Sequence, residues 1–466
     1  VSVRAGQAAG LWLLIAVAAR CVPQPQHALP TSAAQAQVAH VFEEKPPAAE
    51  EPTVRGPATS DTIVAPSVSA ALDRVRTARG LPPRSPIRTR WVTRSELGLH
   101  VRSQLLADDA VRMATALDAL LFGLNVVPVD FDFVRDSVEL TRGSLAGLYD
   151  PHSKELLIAT DLDRDQTEDA VEHEIVHALQ DQHFGIDDRL LPAPDGSDRA
   201  NALQSLAEGD ATCATSGALC APSATRAPGE ARPEVARLGL DPIDASAVLR
   251  RALMAPYADG VALVRWLLAR GGWPLVNSVW TRPPETTEQV LHPDKLLAGE
   301  PAESVPVPFV PDPCFRAPPY RDVLGEQSLR VLLAEWLPGP EAASRAAGWA
   351  GDRLAVYQQA RRFAVAWHVR YDTLAAAARG FGALRAGAEL ESHGVPGQQR
   401  RAPPNGESGA SACCQERAQR GPLALVRDGR DIAVTIGPFV RNAEQSQSDG
   451  NCSAALAWAR AVAGQK

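Results

Sequence analysis

Apolar residues recur at helical spacing from near Ala70 and most clearly through SQLLADDAVRMATALDALLFGL, residues 103–124. After VVPVDFDF the period changes to two. SLAGLYDPHSKELLIATDL predicts a hairpin, with strands Leu145–Tyr149 and Glu155–Ala159 about a turn at 150–154. TEDAVEHEIVHALQDQHFG then predicts a helix. Thr167 stands at its N-cap, Glu168 and Asp169 suit the first turn, and Gly185 stops it. Further helices are expected over Arg199–Gly217, 246–270 (ended by Gly271-Gly272-Trp273), 323–336, 341–348 and 352–380. Residues 186–198 and 388–412 read as loops, and 301–319 is proline-rich. A strand pair, Leu423–Val426 and Asp431–Ile436, turns at Asp428-Gly429, and a short helix covers 453–463. The expected fold is α+β and mostly helical, with a small sheet beside the 167–184 helix.

Composition adds an organisation. Arg4 and the apolar run Ala8–Ala19 read as an export signal over 1–21. Cys21 stands where a lipoprotein signal carries its lipidated cysteine, although Arg20 is a bulky residue to precede it. Residues 22–70, rich in Pro, Ala, Glu and Gln, read as a disordered tether. The body divides into 71–300, a catalytic domain, and 301–466, a helical part packed on it and ending in the strand pair. Its place is expected to be outside the cytoplasm: periplasm, outer membrane or medium. Membrane contact is expected through an N-terminal lipid anchor alone. The net charge of −8 argues against nucleic acid as a partner. Beyond Cys21 six cysteines remain, none in a CxxC pair; their disulfide pairing is open from sequence.

The chemistry concentrates in His173-Glu174-Ile175-Val176-His177. Residues four apart share a helix face, so both imidazoles can reach one zinc ion, with Glu174 beside it as general base. Two histidines leave a catalytic zinc one protein ligand short. His183 completes an HExxHxxGxxH spacing except that Gln180 replaces the glycine, and Met254 lies in a stretch like a Met-turn. A helix continuing to Gly185 would carry His183 about 100° away from the other two. Glu208, in LQSLAEGDAT, offers a carboxylate from a second helix, and Gly209 beside it suits close packing against the active-site helix. The apolar stripe Leu203, Leu206, Ala207, Ala211, Ala214 centres nearer Asp210 than Glu208. Asp210 is expected behind a ligand, orienting a histidine.

HEIVHALQD resembles the active-site helix of thermolysin-like zincins (gluzincins). More widely, the chain resembles a group of uncharacterised bacterial exported zincin-like proteins. It does so through GLYDP at 147–151, EHEIVHALQDQHF, AEGDAT, PYADG at 256–260, GGW at 271–273, PPETTEQVLHP at 283–293, AAGWAGDR from 346 and GPLALVRDGRDIAV from 421. That likeness runs over roughly residues 90–440. It implies a zinc metallopeptidase acting on peptides or proteins, with His173, His177 and Glu208 as ligands. His292, Tyr149 and Tyr257 are candidates to steady the oxyanion, the tyrosines reading more simply as structural. Trp266, Trp273, Trp280, Trp349 and Trp367 read as core or pocket wall, and Arg353 and Arg430 as structural ion pairs. The alternative function is a catalytically inactive zincin-type envelope lipoprotein that binds or scaffolds.

Overall fold

The computed structural model describes residues 61–106, 108–186, 195–217, 220, 246–317, 319–390, 411–442 and 445–465. The expected signal, the expected tether up to residue 60 and most of the expected 388–412 loop lie outside these residues. Residues 61–70 correct the tether boundary, because helix α1 already spans Asp61–Arg79. Its side chains Val68, Ala71, Leu72 and Val75 pack on the core, so this stretch has an apolar face to bury.

Strand β1 (Arg88–Val92) and helices α2 (Arg94–Leu105), α3 (Asp108–Gly123) and α4 (Phe133–Ser144) lead to β2 (Gly147–Asp150) and β3 (Glu155–Ala159). The expected hairpin is present, and β1 joins it in parallel, giving a small sheet ordered β1-β3-β2. Next come α5 (Arg164–Phe184), α6 (Ser197–Thr215) and α7 (Ala247–Thr281). Helix α7 continues past the expected stop at Gly271, kinked at Gly272 (φ 60°, ψ −162°) just before Pro274. Its length and apolarity would suit a membrane span, yet most of its apolar window is buried within the protein. Short helices α8 (Thr287–Leu291) and α9 (Pro293–Ala298) follow.

The C-terminal part is not helical in the manner expected. Strand β4 (Tyr320–Asp322), helices α10 (Gly325–Leu333) and α11 (Gly339–Ala346), strands β5 (Trp349–Gln359) and β6 (Arg362–Tyr371) and helix α12 (Leu374–Leu390) occupy 320–390. Strands β7 (Ala412–Gln415), β8 (Leu423–Asp428), β9 (Asp431–Arg441) and β10 (Ser446–Ser448) and helix α13 (Cys452–Ala463) complete it. The helix expected over 352–380 is thus two strands and a helix, and the closing strand pair belongs to a seven-stranded antiparallel sheet. Its order is β4-β5-β6-β9-β8-β7, with β10 on β9. Both faces are buried, so the strands alternate large and small rather than apolar and polar. Leu354, Val365, Trp367, Leu425 and Val434 face the main core, while Ala355, Ala364, Ala366, Ala424 and Ala433 face α13. Alanines let the helix approach closely, and they raise helical propensity in the strands, which is what misleads a periodicity reading.

Polar anchors fix this sheet to the helices. Arg417, Arg420 and Arg441 donate to carbonyls at the end of α3 and the loop after it, including Phe122, Gly123, Val127, Val129 and Phe131. Such cations suit a helix C-terminus. Asp322 of β4 accepts from the Ser197 backbone N–H at 3.0 Å and from its hydroxyl, holding the first turn of α6. Arg353 pairs with Asp195 and Arg430 with Glu303, the expected structural ion pairs. Trp280, Trp349 and Trp367 are fully buried core. Disulfides link Cys213 to Cys220 and Cys414 to Cys452, and Cys314 and Cys413 are thiols.

Candidate metal centre

Helix α5 begins earlier than expected. Asp163 is its N-cap, in a capping box with Gln166, while the Thr167 hydroxyl donates back to the Asp163 carbonyl at 2.7 Å. It ends at Gly185 in the left-handed conformation (φ 63°), as expected. The helix lies against β2, β3, α1 and α6. Its inner face carries His173 and His177, with ring centroids 4.8 Å apart and nearly perpendicular.

Glu208 of α6 meets both. His173 Nε2 lies 3.1 Å from His177 Nε2, and Glu208 Oε2 lies 3.1 Å from His173 Nε2 and 3.4 Å from His177 Nε2. Tetrahedral ligands with bonds near 2.0–2.1 Å are separated by about 3.3 Å, so these three atoms outline one face of a zinc coordination tetrahedron. The electrostatics point the same way. Burial would raise the Glu208 carboxyl, but His177 and His173 pull it down to about 2. Burial would lower the His177 imidazole, but Glu208, then Glu174, lift it to about 9. The cluster thus favours positive charge where its three atoms meet. Glu208 Oε1 and Glu174 Oε1 are buried with no hydrogen-bond partner among the described residues. Donor types, spacing and these orphaned oxygens fit a divalent metal. Among the described residues no other such group of histidine, cysteine and acid is formed.

The groups behind these three candidates are partly unforeseen. The His177 Nδ1–H donates to Gln180 Oε1 at 2.9 Å, and Gln180 Nε2 donates to the Ala207 carbonyl at 3.0 Å. That bond holds a proton on Nδ1 and points Nε2 at His173 and Glu208. Gln180, where the HExxHxxGxxH spacing has glycine, therefore ties α5 to the helix bearing Glu208. The sequence signal was a polar residue one turn beyond His177 on a face otherwise buried.

Asp210 does not orient a histidine, correcting that expectation. It accepts from Arg79 (Nη2 to Oδ2 2.9 Å) and from Trp280 Nε1 at 2.7 Å, in a pair whose side chains are fully buried. The apolar stripe misled because α6 is buried on every side from Asn201 to Ala214. Gly209 permits close packing against α7 rather than α5. A Cβ there would lie 2.1 Å from the Gly260 backbone, and a Cβ on Gly260 would lie 1.9 Å from the Ser205 carbonyl oxygen. His183 is no ligand: α5 carries it round to the Pro82 carbonyl, 2.7 Å from its Nε2. His292 is half-exposed and engaged by Glu326, 3.0 Å from both of its oxygens, and is not among the residues that meet at the cluster.

Glu174, beside the ligands and 1% exposed, is held from the small sheet. The Tyr149 backbone N–H of edge strand β2 donates to Glu174 Oε2 at 2.7 Å. Gly147 makes room for it, since a Cβ there would lie 3.1 Å from Glu174 Cγ. The Tyr149 hydroxyl donates to Asp181 at 2.6 Å, so this residue serves the site through its amide. Burial pushes the Glu174 carboxyl up, against the pull of His177 and His173. Tyr257 of α7 lies beside the cluster, its ring 6.3 Å from that of His173 and tilted 28°.

Residues 315–447 match a family described as a domain of unknown function (DUF8575). No curated protein and no solved structure matches the chain. The match covers the large sheet from β4 to β9 and leaves α5 and α6 outside, so it carries no information about the metal centre.

Proposed function

We propose that this protein is a zinc-dependent metallopeptidase of the zincin type, hydrolysing peptide bonds of peptide or protein substrates. The observation that carries the reading is the meeting of His173, His177 and Glu208 within 3.1–3.4 Å, with Glu174 fixed beside them by a strand amide. His173 and His177 Nε2 and Glu208 Oε2 would hold the zinc, with Gln180 keeping His177 in the ligating tautomer. Bound zinc supplies a Lewis acid that polarises the scissile carbonyl and acidifies water. Glu174 does the proton work. Its Oε2 is anchored by Tyr149, which leaves the unpaired Oε1 to take a proton from the attacking water and deliver it to the departing amine. Two disulfides support a place outside the cytoplasm.

A second reading draws on burial. His173 is 5% exposed, and His177 and Glu208 are wholly buried, as in a structural zinc site of a binding or scaffold protein. One variant separates the two. Zinc-loaded wild type is expected to bind one zinc per chain and cleave an unfolded protein such as β-casein. Glu174→Gln should keep the zinc and lose turnover by about 10²–10⁴-fold. Equal cleavage by both proteins, or none by either, would refute the peptidase.

A further inference from the structure

We infer that Gln204 is a substrate-binding residue of the same centre, donating its side-chain N–H to the carbonyl oxygen of the peptide being cleaved. The inference rests on the peptidase reading above and adds a contact to it. Gln204 precedes Glu208 by four residues on α6, so the two side chains share a helix face, with Cβ atoms about 5–6 Å apart. The residue is 2% exposed. Its Nε2 is fully buried and has no hydrogen-bond partner among the described residues. Three other polar side chains of the helix are satisfied. Asp198 accepts from Thr287, Ser205 donates to the Asn201 carbonyl, and Asp210 accepts from Arg79 and Trp280. Gln204 Nε2 has no partner, and the other such atom of this helix among the described residues is Glu208 Oε1, one turn on.

An amide buried without a partner destabilises the fold, and native proteins pair nearly all such groups with protein atoms, ordered water or a ligand. The unpaired atoms of this region are complementary to one reaction. Glu174 Oε1 and Glu208 Oε1 are acceptors, whereas Gln204 Nε2 is a donor. Glu174 receives the proton of water, and Glu208 is spent on the cation. A neutral donor then meets the acceptor that a scissile peptide bond brings, its carbonyl oxygen, on which negative charge develops. An amide that binds backbone carbonyl reads no side-chain charge, so this contact favours peptide bonds as a class over any one flanking residue.

The test uses the full zinc-loaded chain and a neutral dipeptide hydroxamate, titrated by calorimetry, with zinc content and thermal melting measured alongside. Gln204→Leu should keep one zinc per chain and melt no lower than wild type, because an unpaired donor gives way to an apolar group of similar volume. It should bind the hydroxamate at least tenfold more weakly. Gln204→Met, another neutral side chain without a donor, should behave alike and stands in if the leucine variant does not fold. Wild-type hydroxamate affinity in either variant would overturn the assignment. So would a lowered melting temperature with unchanged affinity, the mark of a structural amide. If wild type takes up zinc and hydroxamate, such a result sinks Gln204 alone. If wild type takes up no zinc, or takes up zinc without binding the hydroxamate, the peptidase reading falls and this assignment with it.

Discussion

Substituting Gly209 tests how the ligand set is assembled. Gly209 and Gly260 meet where α6 crosses α7, and an alanine Cβ at 209 would stand 2.1 Å from the Gly260 carbonyl carbon and oxygen. Ordinary contact begins at 3.4 Å, so the helices must separate locally by about 1.3 Å, and both offending atoms are backbone. Overpacking against side chains costs about 1–3 kcal/mol, and against rigid backbone the cost should reach the top of that range or exceed it. The displacement falls on the residue next to Glu208. Metal sites tolerate ligand shifts of about 0.2 Å, so zinc affinity should fall by at least the roughly 100-fold found at the upper end for changes behind a ligand. Gly260→Ala should do the same, its Cβ being 1.9 Å from the Ser205 carbonyl oxygen. Gly382→Ala is the control, for it meets nothing within 4 Å. Denaturant unfolding of the apo chain and competition with a zinc-binding dye would measure both effects. If Gly209→Ala matches the control in stability and zinc affinity, the close crossing does not position Glu208.

Three further outcomes follow from the site. Asp210→Asn should lower stability by about 3–5 kcal/mol in chemical denaturation, since Arg79 is left charged and wholly buried without its counter-charge; a loss below 1 kcal/mol would contradict this. Gln180→Leu should weaken zinc binding by about 10–100-fold while preserving helix content by circular dichroism, because His177 loses the acceptor that fixes its tautomer. Gly147→Ala should leave zinc binding intact and slow β-casein cleavage roughly three- to tenfold, since its Cβ presses Glu174 by a few tenths of an ångström; unchanged turnover would show that the base adapts freely.

The cluster of His173, His177 and Glu208 was legible because its spacing is local. Two histidines one turn apart need no tertiary knowledge to share a face, and Glu208 follows once a second helix is supplied. What lies behind these residues was only partly legible. Gln180 is three residues from His177 on α5, a local spacing, whereas whether Asp210 reaches a histidine depends on how α6 is rotated about its axis. A helix buried all round, as α6 is, leaves no apolar stripe to fix that rotation. The N-cap turned on Gln166, whose amide completes the box with Asp163 and outcompetes the hydroxyl of Thr167. The strands of the large sheet escaped for a different reason. Their solvent-like face is lined by alanine, which periodicity scores as helix, and α13, the element that covers it, lies up to a hundred residues downstream.

That alanine-lined face has a bearing on how the chain can be divided. The stretch related to DUF8575 stops at residue 447, five residues before α13 begins. A fragment trimmed there would lose Trp458, Ala459 and Val462 from over the strands, and with Cys452 the covalent tie to Cys414. The uncovered patch is flat, methyl-rich and β-structured, the kind of surface through which truncated proteins stick to one another. The smallest soluble piece carrying this sheet should therefore run through Ala463, and the last helix is best regarded as its lid rather than as a tail.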